Sequence, residues 1–292
     1  MSVHVFWNGD IHGLEDVKVS PLDRGYQFGD GVYEVIRFYH GTLFETKRHI
    51  LRLERSLKAL SIPKPSYLLH GDTLNIDHLE TIMKDLIQRE HLTQHDGIVY
   101  LQITRGTYPR SHSFPKETIE PNMLMYVEVY PRPELIRRGA KVMLHPDLRW
   151  SRVDIKTVNL LGNVLAKQKA EEKGYHEAIL HRSDIVTEGT AANVFIVRGG
   201  VVWTHPANTC ILNGVTRNVV IDLIRQQDIP FVERPFNIDA LLTADEVFLT
   251  STTLEVTPVV QVDERTFKRA HENTITRRLQ KAFEQYIDDT AP

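Results

Sequence analysis

The sequence predicts an α+β (α/β) protein of two domains with a cleft between them. Three observations carry that prediction. A chain of 292 residues suffices for two ordinary cores. Segments of strand period and helix period follow one another along its whole length. A proline-rich and charged stretch, YPRPELIRRG, interrupts them near residue 130. The domains are therefore drawn at 1–129 and 139–292, with 130–138 as the linker and the second domain carrying the isolated lysine discussed below.

The elements follow in order. VHVFW is a strand, and GVYEVIRFY is a second that turns at His40-Gly41 into TLF. Ile50, Leu53, Leu57 and Leu60 recur at helical spacing, as do Ile76, Leu79, Ile82, Met83 and Leu86. IVYLQITR and MLMYVEVY are nearly continuous in apolar character, which predicts central strands. Beyond the linker come KVMLH, an extended VDI, and a helix through Val158, Leu161, Leu165 and Ala166 that closes at Gly174. EAILHR, DIVTE and NVFIV are strands, and Gly199-Gly200 turns the last of them into VVWTH. A helix NVVIDLIRQ, strands EVFLTS and TPVVQV, and a helix from about Glu272 to Tyr286 complete the chain.

Composition excludes several classes of function. Hydrophobic content of 41% and charged content of 25% are those of a soluble globular protein. A net charge of −3 and an isoelectric point near 6.5 give no general attraction to nucleic acid or an anionic membrane. No apolar run approaches the ~18 residues of a membrane span, and MSVHVFWNGDIHG lacks the basic and apolar regions of a secretory leader. The single Cys210 leaves no internal disulfide and no multi-cysteine metal site, so a reducing, cytoplasmic location is expected. Dinucleotide, P-loop, zinc-protease and nucleophile-elbow motifs are all missing from the sequence.

What chemistry there is collects in four places. Lys156 stands at a strand-to-helix junction, where side chains of α/β proteins can point into a cleft. Glu188 ends the strand DIVTE just before Gly189. Gly214 precedes a helix whose first amides, from Val215 and Thr216, can bind a phosphate, and Ser251, Thr252 and Thr253 follow a strand as a second anion seat that Arg52 would complete. An amine, a carboxylate and a phosphate seat are what pyridoxal phosphate requires. In TRGTYPRSHSF, Arg110 and His112 alternate around Ser111, so an extended loop aims both the same way to grip one carboxylate.

RGYQFGDGVYEVIR, TRGTYPRSHSF, RVDIKTVNLLGNVLAKQ, ILHRSDIVTEGTAANVF, ILNGVTR and TSTTLEVTP resemble, in this order and at these distances, the fold-type IV pyridoxal-phosphate aminotransferases. The P-R-x-H loop places the likeness nearest the D-amino-acid branch of that family. The resemblance implies that Lys156 carries pyridoxal 5'-phosphate covalently, that Glu188 faces its pyridine nitrogen, and that Leu212 packs against its ring. It implies that Arg52, Val215, Thr216, Ser251 and Thr252 hold its phosphate. Tyr33 would lie near the substrate carboxylate, while Arg110 and His112 would reach it from a neighbouring subunit, hence a homodimer. The implied reaction is ping-pong transamination between D-amino acids of the D-alanine type and 2-oxo acids such as pyruvate or 2-oxoglutarate. Branched-chain aminotransferases, R-selective amine transaminases and aminodeoxychorismate lyase share the cofactor motifs and remain alternatives. One departure stands at Thr190-Ala191-Ala192, where close relatives usually carry serines.

Overall fold

The computed structural model describes residues 3–267 and 274–291, so the expected helix start at Glu272 lies outside the described residues. The chain forms two compact units. One comprises Met1–Pro131, Ile155–Asn159 and Thr290–Pro292, the other Arg132–Asp154 and Leu160–Asp289.

The first unit contains β1 (His4–Trp7), β2 (Asp10–Gly13), α1 (Arg24–Phe28), β3 (Gly31–Tyr39), β4 (Thr42–Leu43) and α2 (Thr46–Ala59). It continues with β5 (Leu69–His70), β6 (Thr73–Leu74), α3 (Ile76–Arg89), β7 (Gly97–Thr104) and β8 (Asn122–Val129). Its main sheet runs β2-β1-β8-β7-β3-β4, so the two most apolar strands are indeed interior. His40 and Gly41 both take positive φ, 46° and 78°, the primed-turn geometry that matches strand twist and sets Tyr39 opposite Thr42. Side chains alternate across each strand. Val32, Ile36 and Phe38 of β3 join Leu53, Leu57, Leu79, Met83, Val99, Leu101 and Met125 in the buried core. Asp23 caps α1 by accepting from the Gly25 and Tyr26 amides, and its other oxygen accepts from Thr104 and Asn122, which ties this short helix to the sheet.

In the second unit the chain passes through α4 (Leu135–Arg138), β9 (Ala140–Pro146), α5 (Leu161–Glu172), β10 (Glu177–Arg182), β11 (Ile185–Gly189) and β12 (Asn193–Arg198). Then follow β13 (Val201–Thr204), α6 (Val215–Gln226), β14 (Phe231–Glu233), α7 (Ile238–Leu242), β15 (Glu246–Ser251), β16 (Glu255–Val262), β17 (Arg265–Thr266) and α8 (Ile275–Thr290). The strands order as β11-β10-β9-β16-β15-β12-β13-β14, with β17 against β16. Val142, Ile179, Val194, Ile196, Val247, Leu249 and Val259 form its core with Leu241 of α7.

Two local readings change. VDI is not extended: Val153 and Asp154 form a turn, and the bridge comes two residues later, from Thr157 to Val32. In α5 the buried positions are Ala166 and Ala170, whereas Leu161 and Leu165 are 72% and 67% exposed. The small residues face the sheet because they let the helix backbone approach Met143, Ala178 and Leu180.

Candidate active site

In the first unit the site is built on β3. Strand β4 pairs only with Phe38 and Tyr39, and β7 occupies the opposite edge, so the start of β3 has one edge open. Residues 155–159 fill it. Thr157 bridges Val32 and donates its hydroxyl to the Gly31 carbonyl at 2.9 Å, while the Tyr33 amide donates to the Lys156 carbonyl at 3.0 Å. The Lys156 amide donates to Ser56 Oγ at 3.3 Å, and its Nζ lies 4.2 Å from the centre of the Tyr33 ring. The lysine is thus held by backbone contacts at both N–H and C=O.

Beside it on α2 is a buried charge cluster. Arg52 donates to both Glu34 oxygens at 2.8 Å, and His49 Nδ1 is 2.7 Å from Glu34 Oε2. Burial pushes the Glu34 carboxyl up, but Arg52 and His49 together hold it down at about 2. Burial also depresses His49, and the Arg52 and Lys156 charges add to that against the pull of Glu34.

Arg110 and His112 are exposed, and both address Phe28 of α1: the Arg110 Cζ is 5.0 Å from its ring centre and the His112 ring 5.6 Å. Their loop is anchored from below. Arg24 donates to the Ser111 carbonyl at 2.6 Å while its Nε pairs with Asp30 at 2.8 Å.

The second unit carries Glu188, wholly buried at the end of β11. Its Oε1 accepts from Arg149 at 2.6 Å, and its Oε2 accepts from Asn193 and from the Leu212 amide, each at 3.0 Å. Burial pushes this carboxyl up to about 7, against the opposing effect of Arg149. Arg149 in turn forks onto Asp147, with Nε and a terminal nitrogen each 2.9 Å from a carboxylate oxygen, and Arg182 and Thr187 also reach Asp147. Asn193 joins this network to the next loop, since its amide nitrogen donates to the Leu212 carbonyl at 2.9 Å.

Gly214 then opens α6 as an N-cap without a side-chain cap, leaving Val215 and Thr216 at its first positions. A Cβ on Gly214 would stand 2.2 Å from Asn193 Oδ1, so only glycine permits this approach. Ser251 ends β15 and its Oγ accepts from the Leu254 amide at 3.0 Å; Thr252 follows in the same turn. An uncapped helix start and a hydroxyl-bearing turn each fit a phosphate, and a buried carboxyl fits a ring nitrogen. Thr190 directs its amide (3.1 Å) and its hydroxyl to the buried Glu177, so that hydroxyl is engaged within the unit.

Tyr33, Arg52 and Lys156 are therefore assembled in the first unit, and Glu188, Leu212, Val215, Thr216, Ser251 and Thr252 in the second. Arg110 and His112 stand on a first-unit loop. Sequence reasoning missed Asp147, Arg149 and Asn193. Asp147 and Arg149 pair with each other two residues apart, which was the only local signal, and their other partners and those of Asn193 lie five to forty residues away in sequence.

The family profile described as amino-transferase class IV matches residues 31–262. The D-alanine aminotransferase of Staphylococcus epidermidis is 42% identical over 284 residues, 97% of each chain. That of Bacillus licheniformis is 40% identical over 284 residues, 97% of this chain and 96% of its own. Among solved structures, the branched-chain amino acid aminotransferase of Escherichia coli superposes with a TM-score of 0.88 at 26% identity, covering 98% of this chain and 94% of its own. With the profile spanning most of the chain and such relatives alike from end to end, this chain belongs to the class IV aminotransferases.

Proposed function

We propose that this chain exchanges the amino group of D-amino acids, D-alanine among them, with 2-oxo acids such as 2-oxoglutarate, using pyridoxal 5'-phosphate and acting as a homodimer. The observation that carries the reading is full-length likeness to two D-alanine aminotransferases together with a lysine fixed by backbone contacts beside a tyrosine. Lys156 would hold the cofactor covalently, Glu188 its ring nitrogen and Leu212 its ring face. The amides of Val215 and Thr216, with Ser251, Thr252 and Arg52, would take its phosphate.

When bound, that group withdraws electrons from the substrate Cα and carries the amino group between the two half-reactions. The chain's residues do the rest. Lys156 Nζ takes the proton from Cα as a general base and returns it as an acid. Glu188 holds a proton on the ring nitrogen; a carboxyl displaced to about 7 is near the acidity that such a shared proton requires. Arg149 and Asn193 fix both of its oxygens in place. Tyr33 orients the substrate beside the lysine, and Arg110 with His112 grips its carboxylate.

The preference for the D hand rests on the likeness to the D-alanine aminotransferases, and a clamp of this kind gives it a physical reason. The Cα–H bond must point at Lys156, so the carboxylate and side chain share the two remaining directions, and the side that carries the cationic clamp selects one enantiomer. A homodimer is supported by an exposed apolar surface: Leu161, Val164 and Leu165 share a face of α5, and Leu148 and Trp150 flank Arg149, whose Cγ would lie 3.0 Å from a Cβ on Gly162. The test is to incubate the protein with each enantiomer of alanine and 2-oxoglutarate and to measure pyruvate. Pyruvate from D-alanine and almost none from L-alanine is expected. Equal rates would remove the clamp argument and favour the branched-chain or amine-transaminase alternative.

A further inference from the structure

Arg37 is an anomaly of the first unit. It is 1% exposed on β3, and none of its three guanidinium nitrogens has a hydrogen-bond partner among the described residues. Two rings flank it, with Cζ 5.2 Å from the centre of Tyr39 and 5.4 Å from that of Tyr130. Cation–π contact offsets part of the cost of burying the charge, yet it satisfies no N–H donor, and arginine cannot lose its proton to escape. A buried, unpaired guanidinium is costly, and the group that relieves it is an anion.

The strand says which anion. Alternation puts Arg37 on the face of β3 that carries Tyr33 and Val35. Tyr33 is the residue beside the Lys156 amine. Arg37 lies four residues further on, roughly 13 Å along the strand at about 3.3 Å per residue. A substrate side chain must reach forward along this face to meet the guanidinium. The β7 residues paired with Val35 and Arg37 are Tyr100 and Ile98, which make the intervening surface largely apolar. Glu128 of β8 lies in the same row beyond Ile98, and the half-buried Tyr130 ring lies against Arg37. A short apolar side chain starting near Tyr33 would stop at Val35, whereas one ending in a carboxylate would find the guanidinium.

We propose that Arg37 is a specificity-determining residue that binds the distal carboxylate of dicarboxylic substrates, the glutamate and 2-oxoglutarate class. The inference rests on the aminotransferase reading, and it concerns which side chains that site prefers.

The test uses the cofactor-loaded protein, wild type and Arg37→Met, with two readouts. Glutarate, an unreactive dicarboxylate, and butyrate, its monocarboxylate counterpart, are titrated by calorimetry. Values of kcat/KM are then measured for 2-oxoglutarate and 2-oxobutyrate with D-alanine as donor. The glutarate-to-butyrate affinity ratio and the 2-oxoglutarate-to-2-oxobutyrate rate ratio should each fall about tenfold or more, the loss of one charged hydrogen bond, with partial recovery in Arg37→Lys. Methionine fills similar space without the charge, so the variant should fold; Arg37→Gln serves if it does not. Unchanged ratios, or equal losses for both members of each pair, overturn the proposal. A lowered Tm with unchanged ratios does so too, because it makes Arg37 a structural cation. If the wild type transaminates no amino acid, the function reading fails, while the glutarate-to-butyrate ratio still decides the role of Arg37.

Discussion

Glu188 and Glu34 are both buried carboxyls, yet their surroundings drive them in opposite directions. At Glu34 the pull of Arg52 and His49 outweighs burial and holds it at about 2; at Glu188 burial outweighs Arg149 and the carboxyl rises to about 7. The first arrangement stabilises the fold. Glu34→Gln should cost roughly 3 to 5 kcal/mol at pH 7, because it leaves the buried Arg52 guanidinium without its partner. Its folded value lies below the unfolded one, so this stabilisation is present above about pH 4.5 and is lost as pH falls toward about 2. Urea melts of both proteins from pH 7 to pH 3 should show the difference shrinking as acid is added; a constant difference would contradict the pairing. The second arrangement serves chemistry. Glu188→Gln should fold and bind the cofactor but lose kcat by roughly a hundredfold or more, because an amide cannot keep a proton on the ring nitrogen. Wild-type kcat in that variant would show Glu188 to be an ordinary buried residue.

At the scale of elements, the pattern of the sequence was sufficient where neighbours in space are neighbours in period. GVYEVIRFY became β3 in full, and two positive-φ residues, His40 and Gly41, fixed its hairpin. Glu188 and Gly214 could be singled out because each sits at the end of a recognisable segment, whereas Lys156 was singled out at a strand-to-helix junction and in fact follows a turn. Pattern was insufficient in α5, where Leu161, Leu165 and Ala166 carry the helical period but, of these three, only Ala166 is buried, together with Ala170. Periodicity identifies an apolar face but not what will cover it. Nor does any local signal say that residues 155–159 close the open edge of β3, since that pairing spans more than a hundred residues. The loop of Arg110 makes its own prediction. Arg110→Ala should raise KM by roughly tenfold or more for amino and 2-oxo acids alike, because both lose the same charged contact. Steady-state kinetics with D-alanine and 2-oxoglutarate checks this, and an unchanged KM would mean that the loop merely packs on Phe28.

At the scale of the whole molecule, the exposed apolar residues of α5 and the 148–150 loop predict self-association. The chain should sediment at twice its 33.6 kDa, and Leu165→Glu should shift it toward the monomer and make activity depend on protein concentration. A fully active monomer on sedimentation would remove the partner from the account. Among the described residues there is no helix long and apolar enough to cross a membrane and no cluster of side chains suited to a metal ion. Pyridoxal 5'-phosphate on the Lys156 amine is a proposal that one direct measurement decides. Protein saturated with pyridoxal 5'-phosphate is reduced with borohydride, digested and mapped by mass spectrometry. The account predicts the pyridoxyl group on the peptide containing Lys156 and on that residue; a label on any other lysine, or on none, would contradict it.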